Sequence, residues 1–134
     1  MQPEHVETIG HRYVLHELLG QGGMGSVHRA TDRLTGSEVA LKRVLASQDE
    51  VEFSTSYNAD DFRLKLAQEF KLLSSLRHPN VIHVLDYGFD EQRQPFFTME
   101  ILPDAQTILE ASMDKSVAQK LRLVAQMLQA LNYL

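Results

Sequence analysis

The sequence predicts an α+β fold with five strands, the first three of them in an antiparallel meander, and two long helices. Five short apolar-rich runs bounded by turn residues predict the strands, at 13–19, 26–32, 37–46, 81–88 and 94–102. The short connections between the first three favour an antiparallel meander, because a parallel pair needs a crossover of about a dozen residues or more. Two amphipathic runs predict the helices, at about 61–76 and 116–134.

The predicted helices rest on the spacing of their apolar residues. In the first, the stripe consists of Phe62, Leu66, Phe70 and Leu73, and Pro79 follows as a stop. In the second, a capping-box pattern at 116–119 precedes a stripe made of Val117, Leu121, Val124, Leu128 and Leu131. We expect residues 1–11 to form a loose lead-in and the polar stretch 47–60 to form a mobile connector between sheet and helix.

Composition excludes several classes of protein. With 134 residues, 43% of them apolar and 23% charged, the chain suits one globular domain. A net charge of -5 without a basic stripe makes nucleic acid an unexpected partner. We expect a cytoplasmic segment without membrane contact, because no apolar run approaches the roughly 18 residues of a span and the first residues do not resemble a signal peptide. There is no cysteine, and no histidine pair has the H-E-x-x-H spacing, so no metal site is predicted.

The stretch LGQGGMGSV, residues 19–27, contains four glycines, of which Gly20, Gly22 and Gly25 satisfy G-x-G-x-x-G. A flexible hairpin tip is the plainest interpretation. A dinucleotide-binding fold requires a helix directly after the loop, whereas a strand is predicted here. A Walker A loop requires Lys and then Ser or Thr after its last glycine, and Ser26 and Val27 stand there instead. The remaining interpretation is a glycine hairpin that lies over nucleotide phosphates, since glycine lets backbone amides come close to phosphate oxygens.

Two charged residues downstream suit that interpretation. Lys42, in the strand motif VALK, could reach the α and β phosphates, and Glu69, on the helix that packs on the sheet, could pair with its ammonium group. The alternatives are a solvated strand lysine and an exposed helix glutamate, which are the ordinary positions of these residue types. The long connector at 47–60 leaves open whether Glu69 is held close to Lys42.

In order and spacing, these motifs resemble the amino-terminal lobe of a protein kinase. LGQGGMGSV resembles the glycine-rich loop, VALK the third-strand lysine motif, and EFKLLSSLRHPNV the αC helix and its HPN turn, with Glu69 nine positions before His78. FFTMEIL resembles the fifth strand and the hinge. The sequence GQGGMGSV is most similar to the glycine-rich loops of the eukaryotic-type serine/threonine kinases of bacteria. The resemblance covers about 12–134. It implies that 12–102 form the lobe, a five-stranded antiparallel sheet with an αC helix, and that 103–134 form the hinge exit and first helices leading into a missing carboxy-terminal lobe.

The resemblance also implies an ATP site. Its catalytic residues would be Lys42 and Glu69. Its nucleotide-binding residues would be Leu19, Gly20, Gly22, Gly23, Gly25, Val27, Ala40, Lys42, Met99, Glu100 and Leu102. Among these, Leu19, Val27 and Ala40 would enclose the adenine. Met99 would be the gatekeeper, and the hinge from Glu100 to Leu102 would bind adenine through its backbone. Leu73 and Val84 would stack behind the helix as part of a spine.

The motifs H-R-D-x-x-x-x-N, D-F-G and A-P-E do not occur in the sequence. The resemblance therefore implies a parent enzyme that transfers the ATP γ-phosphate to Ser/Thr hydroxyls of a protein substrate, with its Mg²⁺ ligands in the missing lobe. We expect residues 1–134 alone to be inactive, and residues 104–134 to form a homodimer or to be disordered because their apolar stripe lacks a cover. The alternative is a non-catalytic, kinase-like interaction module.

Overall fold

The computed structural model describes residues 6–23, 25–44 and 59–134, and the side chains of 59–63 lie outside the description. Within these residues there are six strands and three helices. The strands are β1 (Thr8–Ile9), β2 (Tyr13–Gly22), β3 (Gly25–Asp32), β4 (Glu38–Val44), β5 (Val84–Phe89) and β6 (Pro95–Glu100). The helices are α1 (Ala59–Ser75), α2 (Ile108–Ser112) and α3 (Val117–Tyr133).

The strands form one antiparallel sheet in the order β1-β2-β3-β4-β6-β5. The predicted α+β fold with an antiparallel sheet is confirmed, and all five predicted strands are present. A sixth strand, β1, is added at the edge beside β2. It was missed because two residues are too few to show a period-2 pattern.

The buried core lies on one face of the sheet. It comprises Ile9, Tyr13, Leu15, Ala30, Val39, Leu41 and Phe96. The rings of Tyr13 and Phe96 meet edge to face, with centroids 5.7 Å apart. Because side chains alternate along a strand, burial of Val39 and Leu41 on this face places Ala40 and Lys42 on the opposite face. That opposite face carries the candidate site.

The lead-in is packed against the sheet in residues 6–11, so the expectation of a loose segment is wrong there. Ile9 is 1% exposed and belongs to the core. The carbonyl of Glu7 accepts a hydrogen bond from the amide of Leu15 at 2.9 Å, and the Glu7 carboxylate forms an ion pair with Arg43 on β4. Burial of one large side chain supplies the stabilisation that the composition of this stretch does not suggest.

Arg12 joins three parts of the sheet. Its guanidinium donates two hydrogen bonds to Asp32, at the end of β3, at 2.8 and 2.7 Å. It also donates one to Asp86 on β5 at 2.6 Å and lies 4.8 Å from the ring centroid of Tyr13. The bonds from Arg12 lower the pKa of Asp32 to about 2, against desolvation, which acts in the opposite direction.

The helices agree with the prediction in type and differ at their ends. Helix α1 spans 59–75 instead of 61–76, so the last two residues of the connector predicted at 47–60 belong to the helix. Residues 47–58 of that connector and the Phe62 side chain lie outside the described residues. Helix α3 begins at Val117, directly after Ser116, and the predicted capping box is present: the Ser116 hydroxyl accepts a hydrogen bond from the amide of Gln119. Residues 104–134 contain two helices in place of the disorder expected as one outcome. None of the helices in the described residues is long and apolar enough to cross a membrane.

Candidate nucleotide-binding site

The glycine-rich stretch forms the tip of the β2–β3 hairpin. The register places Gly22 opposite Gly25 and Gly20 opposite Val27. Gly25 has φ 130°, a conformation that residues with a Cβ rarely adopt. At Gly20, Gly22 and Gly23 an added Cβ would meet nothing within 4 Å, and none of the three has a positive φ. Intramolecular contacts of the described residues therefore do not require glycine there, which leaves the hairpin tip open to a ligand's close approach.

The register of the sheet brings four predicted site residues to one face. Val27 on β3 pairs with Lys42 on β4, and on the other side of β4 Ala40 pairs with Met99 on β6. Directly paired residues of neighbouring strands project from the same face, so these side chains lie together on one face of the sheet. Lys42 is half-buried and Ala40 is buried.

The predicted hinge begins at Glu100, the last residue of β6, and continues beyond the strand. The Glu100 amide donates a hydrogen bond to the carbonyl of His83 at 3.0 Å, and the Glu100 carboxylate accepts one from the His83 amide at 2.9 Å. The Glu100 N–H is therefore already engaged within the protein. Leu102, beyond the strand, is exposed, as is Leu19 at the base of the hairpin tip.

Lys42 and Glu69 are not paired. The Nζ atom of Lys42 lies 5.8 Å from the ring centroid of Phe97, the cross-strand neighbour of Lys42 on β6. Glu69 is exposed and lines an open groove on α1 together with Leu72, Leu73 and Leu76. Among the described residues no ion pair includes either of them. Leu73, predicted to stack with Val84, is 42% exposed, whereas Val84 is buried.

A second cationic side chain on this face, that of Arg29, is held in ion pairs. Arg29, which pairs with Ala40 in the register, forms ion pairs with Glu17 at 2.7 Å and Glu38 at 2.5 Å. The hydrogen bond from Arg29 lowers the pKa of Glu17 to about 2. Lys42, in contrast, forms no ion pair with any residue in the part of the chain that the structure describes.

Sequence reasoning missed the aromatic residues beside Lys42. Phe70 on α1 stacks on Tyr87 of β5 with centroids 5.2 Å apart and also contacts Phe97 at 5.4 Å. The apolar stripe predicted Phe70 as a packing residue, and FFTMEIL predicted a strand. Neither pattern shows how β4 and β6 pair, and this pairing is what places Phe97 next to Lys42.

The arrangement can hold a phosphorylated ligand. It offers an open glycine hairpin for close backbone approach, an ammonium group on the same face that no carboxylate of the described residues pairs with, and the apolar side chains of Val27, Ala40 and Met99 for a planar base. Within 6–23, 25–44 and 59–134, no group of three or more His, Asp or Glu residues could hold a metal ion. The fold and candidate site define an α+β lobe, in which a sheet presents a glycine hairpin and a strand lysine beside one helix.

A family model described as the protein kinase domain matches residues 13–134, and the chain belongs to the protein kinase family. Among curated relatives, the DNA damage-responsive serine/threonine-protein kinase RqkA of Deinococcus radiodurans is 41% identical over 68% of this chain and 12% of its own length. The serine/threonine-protein kinase pkn3 of Myxococcus xanthus is 33% identical over 94% of this chain and 22% of its own length.

Solved structures agree on the fold. The kinase domain of PknI from Mycobacterium tuberculosis, in its C20A_R136A double mutant, matches with a TM-score of 0.71 and 23% identity, over 99% of this chain and 50% of that one. Another crystal structure of the same kinase domain matches with a TM-score of 0.68. The chain thus spans about half of a solved kinase domain and a smaller share of the curated relatives.

Proposed function

We propose that this chain is the ATP-binding lobe of a serine/threonine protein kinase, which transfers the γ-phosphoryl group of ATP to Ser and Thr hydroxyls of protein substrates. The observation that carries the proposal is the register that sets Gly20 opposite Val27 and Val27 opposite Lys42. This register puts the glycine hairpin and the ammonium group on one side of the sheet. The names of the bacterial relatives support serine and threonine as the acceptors.

Each site residue then has a physical role. Leu19, Val27 and Ala40 would cover the faces of the adenine, and the backbone from Glu100 to Leu102 would bind its edge. The amides around Gly22 would approach the phosphate oxygens, while Lys42 would neutralise the α and β phosphates. ATP, when bound, supplies the phosphoryl group, and its accompanying Mg²⁺ would take ligands from outside the described residues. A requirement for ATP favours the cytoplasm as the location.

The proposal includes the expectation that residues 1–134 alone do not transfer phosphate. Phosphoryl transfer requires a residue that orients the acceptor hydroxyl and residues that hold Mg²⁺, and the sequence contains neither H-R-D nor D-F-G. We expect residues 1–134 to show no measurable transfer. We also expect ATP to bind them with a Kd no tighter than about 1 mM, because one side of the cleft makes only part of the contacts.

The test uses the full-length product of the reading frame with labelled ATP and mixed Ser, Thr and Tyr peptides. We expect label on Ser and Thr, lost at least 100-fold in Lys42→Met and retained in the matched control Lys65→Met, an exposed lysine on α1. Equal activity of the two variants would remove Lys42 from its role. Label on Tyr alone would contradict Ser and Thr as the acceptors. Robust transfer by residues 1–134 would contradict the expectation that these residues are inactive alone.

A second candidate function is a non-catalytic interaction module that forms a homodimer through 104–134. It is favoured by the outer stripe of α3, in which Val117, Leu121, Leu128 and Leu131 are all more than half exposed. Light scattering on residues 1–134 tests it, with Leu121→Asp as the variant and Lys120→Asp as the control. A dimer that only Leu121→Asp dissociates supports this candidate, and a monomer at all concentrations contradicts it.

A further inference from the structure

Two buried polar side-chain atoms on the core face of the sheet have no hydrogen-bond partner. Among the residues that the structure describes, these are the Nδ1 atom of His28 and the Nε atom of Arg43. Both side chains lie on the core face, because buried Leu41 pairs with His28 and stands two positions before Arg43 on β4. A buried N–H group without an acceptor costs free energy, so an added acceptor at this place would be stabilised.

The hydroxyl group of Ser26 lies beside both atoms. In the register Ser26 pairs directly with Arg43, which sets their Cβ atoms about 5 Å apart. Ser26 also stands two positions before His28 on β3, so the two side chains share the core face. Ser26 is half-buried and closely follows the exposed hairpin tip at 20–23, so its hydroxyl group is partly accessible.

The Arg43 side chain extends over β3 toward the edge of the sheet. Its guanidinium forms an ion pair with the Glu7 carboxylate, and the Glu7 backbone lies beside β2, where its carbonyl accepts from the Leu15 amide. Strands are about 4.8 Å apart, so about 14 Å separates β4 from that backbone. Both side chains must be extended to meet, which places the Arg43 Nε atom over β3 near Ser26. Glu7 and His28 line one open cavity there.

A phosphoryl group on Ser26 would supply an acceptor to both buried atoms. It carries a charge of about −1.5 to −2 at pH 7 and three acceptor oxygens. The Arg43 guanidinium is a planar fork of N–H donors that matches a phosphate. The His28 ring donates from Nδ1 in one neutral tautomer and in its protonated form. The Glu7 carboxylate has the same sign of charge as the phosphate and would be repelled from it.

We infer that Ser26 is a phosphorylation site of this chain, and that its phosphoryl group is bound by Arg43 and His28 in place of the Glu7 carboxylate. The bound phosphate ties the start of β3 to β4 and releases Glu7 at the edge of the sheet. The inference rests on the proposed function for the transfer step, in which the enzyme itself supplies the phosphoryl group. The binding of the phosphate by Arg43 does not depend on which enzyme transfers it.

The transfer requires two copies of the enzyme. Ser26 projects from the core face, whereas Ala40 and Lys42 of the candidate nucleotide site project from the opposite face. The hydroxyl group of one copy therefore reaches only the ATP that another copy binds. The Ser26 Oγ atom bonds to the γ-phosphorus, the bond from that phosphorus to the β,γ-bridging oxygen breaks, and ADP leaves. The hydroxyl proton is released to solvent.

The first experiment detects the modification. Isotopically labelled full-length Lys42→Met is incubated with the unlabelled full-length enzyme, Mg²⁺ and ATP, and is then digested with trypsin. Cleavage after Arg12 and Arg29 yields the peptide 13–29, in which Ser26 is the only serine or threonine. We expect the labelled peptide to carry one phosphate group, and Ser26→Ala in the labelled copy to abolish it. Without the unlabelled enzyme, the labelled peptide stays unmodified.

The second experiment tests how the phosphate is held. Residues 1–134 are prepared with phosphoserine at position 26, and the phosphorus NMR signal is followed against pH. The second pKa of an exposed phosphoserine is about 6, and a neighbouring guanidinium lowers it because it favours the dianion. We expect a midpoint of about 5, which Arg43→Gln returns to about 6. Arg33→Gln, at an exposed position, is the matched control and leaves the midpoint low.

Two further variants test the other groups of the site. His28→Ala raises the midpoint part of the way, because one donor to the dianion is lost. Glu7→Gln leaves the midpoint unchanged, since the Glu7 carboxylate has already moved away from the phosphate. A lower midpoint in Glu7→Gln would show that this carboxylate remains beside the phosphate, which contradicts its displacement.

The outcomes separate this inference from the proposed function. An unmodified labelled peptide from an enzyme that phosphorylates added serine and threonine peptides overturns the inference and leaves the proposed function standing. An enzyme that phosphorylates neither contradicts both. A phosphoserine midpoint that Arg43→Gln does not raise, or that Arg33→Gln raises equally, overturns the binding of the phosphate by Arg43.

Discussion

The phenol oxygen of Tyr133 accepts a hydrogen bond from the backbone amide of Arg77 at 2.8 Å. The Tyr133 ring also lies 5.1 Å from that of His78. The last turn of α3 is thereby attached to the turn that follows α1, across 56 positions of sequence. A polar contact and a ring contact therefore join the end of α3 to the turn after α1.

Tyr133→Phe should destabilise this attachment without removing the ring. We expect a loss of about 0.5–1.5 kcal/mol in the free energy of unfolding, the ordinary net value of one hydrogen bond. Tyr133→Ala should lose more, since the contact with His78 goes as well. Hydrogen exchange at the Arg77 amide is the direct measurement, and unchanged protection in Tyr133→Phe would show that the bond contributes nothing.

The ion pair at Asp32 predicts a specific acid sensitivity. Because the hydrogen bonds from Arg12 lower the pKa of Asp32 from its ordinary 3.8 to about 2, the folded state binds this proton less readily than the unfolded state. The stabilisation is present above pH 4 and is lost as the pH falls from about 4 to 2. Urea unfolding at a series of pH values should show this decline, and Asp32→Asn should flatten it. An equal decline in Asp32→Asn would assign the acid sensitivity to other groups.

Loss of the cation should be more damaging than loss of a surface charge. Arg12→Leu leaves the buried Asp32 carboxylate without its partner, and we expect it to cost about 2–3 kcal/mol of unfolding free energy. The control is Arg33→Leu, an exposed arginine nearby, which should change stability by less than about 0.5 kcal/mol. Similar effects of the two variants in urea unfolding would contradict the role of the Arg12 network.

The glycines of the hairpin should separate into two kinds. Gly25→Ala forces a Cβ onto a residue at φ 130° and should destabilise the chain by about 1 kcal/mol or more. Gly22→Ala meets no neighbour and should leave the thermal midpoint nearly unchanged, while it raises the KM for ATP in the full-length enzyme. Unchanged ATP kinetics in Gly22→Ala would indicate that the phosphates do not approach this part of the hairpin.

The sequence predicts the sheet and the two long helices well because their signals are local. Alternation in 37–46 and the 3.6-residue stripe in 116–134 are properties of one segment, and both elements are present as β4 and α3. The glycine motif likewise defines its hairpin by itself. The nearby pairing of Val27, Lys42 and Ala40 follows from short connections, which set the β3–β4 register.

The relationships that the sequence does not predict are those between distant segments. The rotation of α1 about its axis depends on whether Phe70 or Leu73 packs more closely on β5 and β6, and both belong to the same apolar stripe. The burial of Ile9 depends on a gap beside Tyr13 and Phe96 that only the folded sheet creates. These are outcomes of competition between packing arrangements, for which composition and period carry no signal.

Ile9 and Arg12 stand upstream of residue 13, where the match to the protein kinase domain begins. Two features that stabilise this end of the sheet, the buried Ile9 side chain and the Arg12 guanidinium, thus lie outside the residues that the family match covers. A recombinant lobe that began at Tyr13 would lack Ile9, which would leave a cavity in the core, and Arg12, which would leave the Asp32 carboxylate without its cation. The folding unit of this lobe therefore begins upstream of its recognisable motifs.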